Sequence, residues 1–133
     1  MTRNNAEFQE GVNKFYHGTS KKLNIGDVIR PGGTVQGIPY AWTHTDPMES
    51  HRFAEGQSMG NSELTEVYTY PVEPLKDDLE VDPRRHEPAI MPLKDAKYPI
   101  TGTSEIVSRT GFKVIGTPVL TSTVGKGKGY YFP

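Results

Sequence analysis

The chain has 133 residues, 34% of them hydrophobic, with 14 Gly and 11 Pro; that is enough for one domain with a core, built from short strands and turns rather than long helices. A formal net charge of −1 supplies no global field toward nucleic acid or a membrane surface, and neither is expected as a partner. With no cysteine there is no disulfide, thiolate metal site or cysteine nucleophile. The polar start Met1-Thr2-Arg3-Asn4-Asn5-Ala6-Glu7 lacks a signal-peptide core and no run could span a bilayer, so a cytoplasmic monomer is expected.

Residues 1–13 are polar and read as a flexible N-terminal segment. Residues 14–17 read as a strand ending on His17, Asn24-Ile25-Gly26-Asp27 as a turn, and residues 28–30 as a short strand stopped by Pro31-Gly32-Gly33. Residues 38–43 are extended, with Tyr40 and Trp42 on one face because side chains alternate along a strand. Thr45-Asp46-Pro47 starts a helix: Thr45 or Asp46 can cap exposed amides and Pro47 suits the first helical position. That helix is expected over 48–55, ending at Gly56, with a thin apolar face that needs strands to pack against. Residues 61–66 are a loop. Val67-Tyr68-Thr69-Tyr70-Pro71-Val72 alternates as a strand, which Pro71 assigns to an edge or a bulge. Residues 73–104 are charged and proline-broken, more loop than element. Phe112-Lys113-Val114-Ile115 is a strand with residues 119–124 beside it, and residues 125–133 form a Gly/Lys/aromatic tail. The sum is one domain over residues 14–124, α+β and mainly β, with one clear helix.

Three stretches can carry chemistry. Phe15-Tyr16-His17-Gly18-Thr19 delivers a histidine to the end of a short strand, and the following glycine permits close backbone approach to a ligand. A neutral His17 there can hydrogen-bond a sugar hydroxyl, with Gly18 and Thr19 offering amides. Tyr40 provides a flat face on which a planar ring can stack. His44 and His51, across a strand–helix junction with no third ligand of clear spacing, read as a solvated pair rather than a metal site. The acidic run Asp77-Asp78-Leu79-Glu80-Val81-Asp82-Pro83 offers the carboxylate that cleavage of a glycosidic bond needs to stabilise an oxocarbenium-like transition state. No Walker loop, dinucleotide GxGxxG or GxSxG elbow is present.

Taken in order, these segments resemble the rifamycin ADP-ribosyltransferase family. His17-Gly18-Thr19 with Leu23, Gly26 and Asp27 resembles its opening motif, and Tyr40-Ala41-Trp42-Thr43 followed by Asp46 its tyrosine strand. Val72-Glu73-Pro74, Asp82-Pro83, Ser108-Arg109 and Val114-Ile115-Gly116 resemble its later segments. The resemblance implies the compact ADP-ribosyltransferase split-sheet fold, two antiparallel sheets around an NAD cleft, with NAD as co-substrate and no metal. It implies that His17, Gly18 and Thr19 hold NAD, that Tyr40 stacks on nicotinamide beside Thr43, and that Asp82 is the catalytic carboxylate, with Asp77, Asp78 and Glu80 as alternatives for its place. The acceptor of ADP-ribose is then a hydroxyl of a rifamycin-like antibiotic or a protein side chain. An RNA 2′-phosphotransferase and a non-catalytic binding domain of the same fold are the alternative readings.

Overall fold

In a computed structural model, which describes residues 14–35, 37–82, 90–97 and 99–125, these patterns become a mainly β, α+β fold. The strands are β1 (Phe15–Thr19), β2 (Val28–Ile29), β3 (Gly33–Val35), β4 (Ile38–His44), β5 (Thr65–Pro74), β6 (Glu80–Asp82), β7 (Met91–Pro92), β8 (Glu105–Ser108), β9 (Phe112–Val114) and β10 (Leu120–Val124). One α-helix among the described residues, α1 (Pro47–Ser58), follows β4, and a 3-10 turn spans Leu93–Asp95.

The sheet order is β2-β9-β5-β1-β4-β8-β6-β7, with β10 added on β5 and β3 on β4. Every pairing is antiparallel. Its two halves meet between β1 and β4, where the register holds one pair, Tyr16 opposite His44. By contrast β1 pairs with β5 along its whole length. The sheet is therefore continuous in name and nearly split in fact.

Alternation sorts the side chains. Phe15, Ala41, Tyr70, Val72, Val81, Ile106, Phe112 and Val114 point into one apolar core, where the Phe15 and Phe112 ring centroids lie 6.3 Å apart. Tyr70 is fully buried, and its hydroxyl accepts the Leu23 N–H at 2.8 Å, which pins the loop after β1. Gly18, on the other face of β1, lies against the helix, where a Cβ would meet Ser50 and Ala54.

α1 starts as the sequence predicts, with the Asp46 side chain accepting the Met48 N–H at 3.0 Å and Pro47 in the first turn. It does not stop at Gly56. An interior glycine costs a helix about 0.5–1 kcal/mol, and here the next turn offsets that by burying Ser58 and packing Met59 on Ala54, Val67 and Val124. The buried face of the helix is mostly polar: Ser50, His51, Glu55 and Ser58 beside Ala54.

Other expectations change with the partners each strand finds. β5 is an interior strand, not an edge. Pro71 stands where its neighbour switches from β10, paired as far as Thr69, to β9, paired from Val72, so the missing N–H falls in a break of the ladder. β10 pairs β5 and not β9. β2 stops before Pro31-Gly32-Gly33 as the sequence predicts, but Gly33 also opens a strand the sequence does not suggest, β3, which folds back on β4. The short strands β6 and β7 lie inside residues 73–104, read as more loop than element; β8, buried at all four positions, follows that stretch, and a short strand covered on both faces shows no alternation. Among the described residues no helix is long and apolar enough to cross a membrane. Residues 1–13 and the Gly/Lys/aromatic residues 126–133 lie outside the described residues.

Gly18 fixes how closely α1 can approach β1. A Cβ there would sit 2.3 Å from the Ser50 carbonyl oxygen and 2.9 Å from the Ala54 Cβ. The backbone oxygen cannot step aside as a flexible side chain could. Gly18→Ala is expected to destabilise the fold by about 1–3 kcal/mol, read as a lower urea midpoint at unchanged slope; an unchanged midpoint would show that the helix seats differently.

Candidate functional site

The seam between the halves opens into a cleft. One lobe, about 340 Å³, is lined by His17, Gly18, Trp42, His44, Ser50 and Glu105, with Phe53 and Gln57 from α1. A second lobe, about 510 Å³, shares His17, Gly33 and Trp42 with the first and adds Thr19, Lys21, Arg30 and Tyr40.

His17 sits at the junction. Its Nδ1–H donates to the Trp42 carbonyl at 2.8 Å, since a carbonyl can only accept. Burial pushes its pKa below the usual 6.5, against a smaller opposing effect of that bond. The ring is thus neutral at pH 7, with Nε2 as its acceptor.

Ser50 closes the seam beneath it. The hydroxyl donates to the Tyr16 carbonyl at 2.6 Å, so its one proton is used, and the 2.9 Å contact with His44 must be Nδ1–H of the histidine donating to Ser50 Oγ. One side chain from α1 therefore joins the two residues of the single β1–β4 pair.

The register extends this row. Glu105 lies opposite His44 across β4–β8, and Asp82 lies opposite Glu105 across β8–β6. Directly opposed residues of antiparallel strands share a face, so His44, Glu105 and Asp82 stand side by side on the face that also carries Tyr40 and Trp42. Glu105 is 5% exposed and reaches the first lobe.

Glu80 shares this face, opposite Val107 and so in the row of Trp42, whereas Asp77 and Asp78 precede β6. Asp78 accepts Ser108 Oγ–H and Thr110 Oγ1–H, both at 2.8 Å, which ties the turn after β8. Glu80 takes two hydrogen bonds from Arg109, at 3.2 and 3.3 Å. Asp77, Asp78 and Glu80 line a separate cavity of about 420 Å³ with Lys94 and Arg109. Of the four acids the sequence left open, Asp82 is the one opposite Glu105, which lines the first lobe together with His17.

Tyr40 lies on the wall of the second lobe, 3% exposed, with its ring at a T-shaped 70° to that of Trp42 and the Arg109 guanidinium 5.6 Å from its centroid. Thr19 lines the same lobe and its hydroxyl accepts the Lys21 N–H at 3.1 Å. Thr43 is fully buried and donates to the Ile106 carbonyl at 2.8 Å, so its side chain is committed to the sheet.

His44 and His51 are not a solvated pair; both are buried, in different networks. Ser122 Oγ–H donates to Glu55 at 2.6 Å, so His51 Nε2–H donates to Ser122 at 2.8 Å and Nδ1 accepts from Thr69 at 2.8 Å. This chain is complete with a neutral ring. Glu105, Ser50 and Trp42 as site residues escape sequence reasoning. Glu105 is a lone acid heading the short run Ile106-Val107, and only the fold brings it, opposite His44, to the lobe that His17 also lines.

Two outcomes follow. Ser50→Ala removes both bonds at the seam and is expected to cost about 1–3 kcal/mol, with amide exchange of β1 and β4 accelerating more than that of β5; equal acceleration everywhere would count against a local role. Burial also pushes the His51 pKa below its usual 6.5, opposed in part by Glu55. His17 and His51 are held neutral in the folded state and protonate more readily unfolded. Their contribution is full above pH 6.5 and is lost as pH falls below it. The urea midpoint is expected to decline just below pH 6.5, and a flat midpoint there contradicts the assignment. In comparisons with known proteins, no family model matches the chain and no curated protein matches its sequence, so the function is read from this geometry.

Proposed function

We propose that the chain is an ADP-ribosyltransferase that cleaves NAD at the nicotinamide–ribose bond and passes ADP-ribose to an acceptor. The observation that carries this reading is a neutral histidine and a buried carboxylate, His17 and Glu105, lining one lobe of a two-lobed cleft.

The charges of the cleft suit such a substrate. The first lobe carries Glu105, with Asp82 beside it in register, and the second carries the exposed cations Lys21 and Arg30. A dinucleotide has a positively charged pyridinium at one end and a diphosphate in its middle. The carboxylates favour the former and the cations the latter.

In the reaction the C1′–N bond breaks and its electron pair neutralises the departing nicotinamide. Positive charge develops on C1′ and the ring oxygen, and a carboxylate held close to that position stabilises it. A hydroxyl of the acceptor then adds to C1′ and loses its proton. His17 Nε2 can accept a ribose hydroxyl and hold the substrate in this pose. Geometry favours Glu105, supported by Asp82, over Asp82 alone as the stabilising carboxylate. A rifamycin-like hydroxyl or a protein side chain remains the acceptor class.

The test is mass spectrometry of rifampicin incubated with the protein and NAD, with nicotinamide release measured alongside. An ADP-ribose adduct supports the reading with the drug as acceptor, and nicotinamide without adduct supports it with another acceptor. Neither product overturns it and leaves the binding-domain alternative. Glu105→Gln is expected to lower nicotinamide release by about 10²–10³-fold, and Asp82→Asn by less. The opposite order would return the catalytic role to Asp82.

A further inference from the structure

Trp42 is the chain's single tryptophan, and its position is unlike that of a core aromatic. It is half-buried and lines both lobes of the cleft. Its backbone carbonyl holds His17 Nδ1 at 2.8 Å. Among the described residues the indole Nε1–H makes only a long contact, 3.4 Å, with the Gly33 carbonyl. Gly33 gives the indole its room, because a Cβ there would lie 2.9 Å from Nε1. The β3–β4 hairpin, with Gly33 opposite Tyr40, thus places a large aromatic surface at the waist between the lobes.

Tyr40 is less available to a ligand. It is 3% exposed, and Arg109, doubly bonded to Glu80, stands over its ring. A planar ring entering the first lobe, where Glu105 is, meets Trp42 there, whereas Tyr40 belongs to the second lobe.

We propose that Trp42, rather than Tyr40, is the residue on which the nicotinamide ring of NAD stacks, and that it sets the preference of the site for a cationic ring over a smaller or uncharged group. This rests on the NAD reading above. The electron-rich indole attracts a pyridinium through its face, and the neighbouring carboxylate adds to that attraction. Stacking on an aromatic side chain is strong enough that removing it weakens binding by about 10–100-fold.

A single indole makes the test direct. The protein is titrated with carba-NAD, whose carbocyclic sugar cannot be cleaved at the nicotinamide bond, and with ADP-ribose, which lacks nicotinamide. Calorimetry and tryptophan emission are recorded together. Saturable quenching by carba-NAD at the calorimetric midpoint, with ADP-ribose binding but quenching far less, supports the inference. So does a loss of affinity for carba-NAD of about 10-fold or more in Trp42→Ala that Trp42→Phe largely restores. Heat without quenching, equal quenching by ADP-ribose, or unchanged affinity in Trp42→Ala overturns the role of Trp42 and leaves the NAD reading standing. Neither heat nor quenching with carba-NAD overturns both.

Discussion

One hydroxyl sets the geometry on which the cleft depends. Ser50 reaches from α1 to the Tyr16 carbonyl and receives the His44 imidazole, the two residues of the single pair that links the halves of the sheet. Past that pair the halves diverge, and the space between them is the cleft. The contact exists because Gly18 lets the Ser50 backbone come within reach of β1. A helix held further away could not bridge the seam, and His17 would lose the fixed neighbour to which its Nδ1 is bonded. The glycine after the histidine therefore serves the helix, although the same residue also borders the first lobe.

The polar groups of the site are ordered by what they are bonded to. His17 and His51 are kept neutral by burial, each with a tautomer fixed by its partners. Asp78 is spent on the turn after β8 and Glu80 on Arg109. Glu105, buried on β8 between β4 and β6, is the acid that lines the first lobe of the cleft. The result is a wall with an acidic residue near the seam and the basic residues Lys21 and Arg30 further along.

Local signals in the sequence were enough to place β1, the turn at 24–27, β4, the cap of α1 and the strand at 112–114, since each rests on alternation or on Gly, Pro and Asp chemistry within a few residues. His17 and Tyr40, which line the cleft, are singled out by the resemblance of their segments to a known family, with which their local signals are only compatible. The misreadings share a cause. Pro71 signals an edge only if its neighbours are unknown, and the interior place of β5 depends on β9 and β10, which lie some forty residues on in the chain. Glu105 and Ser50 acquire meaning only through register and through the docking of the helix. Thr43, which the family resemblance implies beside nicotinamide, points to the opposite side of β4 from Trp42 and His44, because position 43 is odd on a strand whose cleft face is even.

The helix α1 is attached to the sheet largely through side chains that form hydrogen bonds, with a small apolar cluster of Ala54, Val67, Val124 and Met59 at its far end. Heat capacity and denaturant slope both follow the apolar surface that unfolding exposes. Release of α1 alone exposes little of it. A partly open form, with the helix lifted and the strands intact, would thus contribute almost nothing to the curvature of the stability profile. Its population would vary with temperature through enthalpy, because what is exchanged is protein hydrogen bonds for bonds to water. The element that shapes the cleft is in this sense thermally soft, while the apolar core beneath the sheet is held by a force that hardly weakens over the same range.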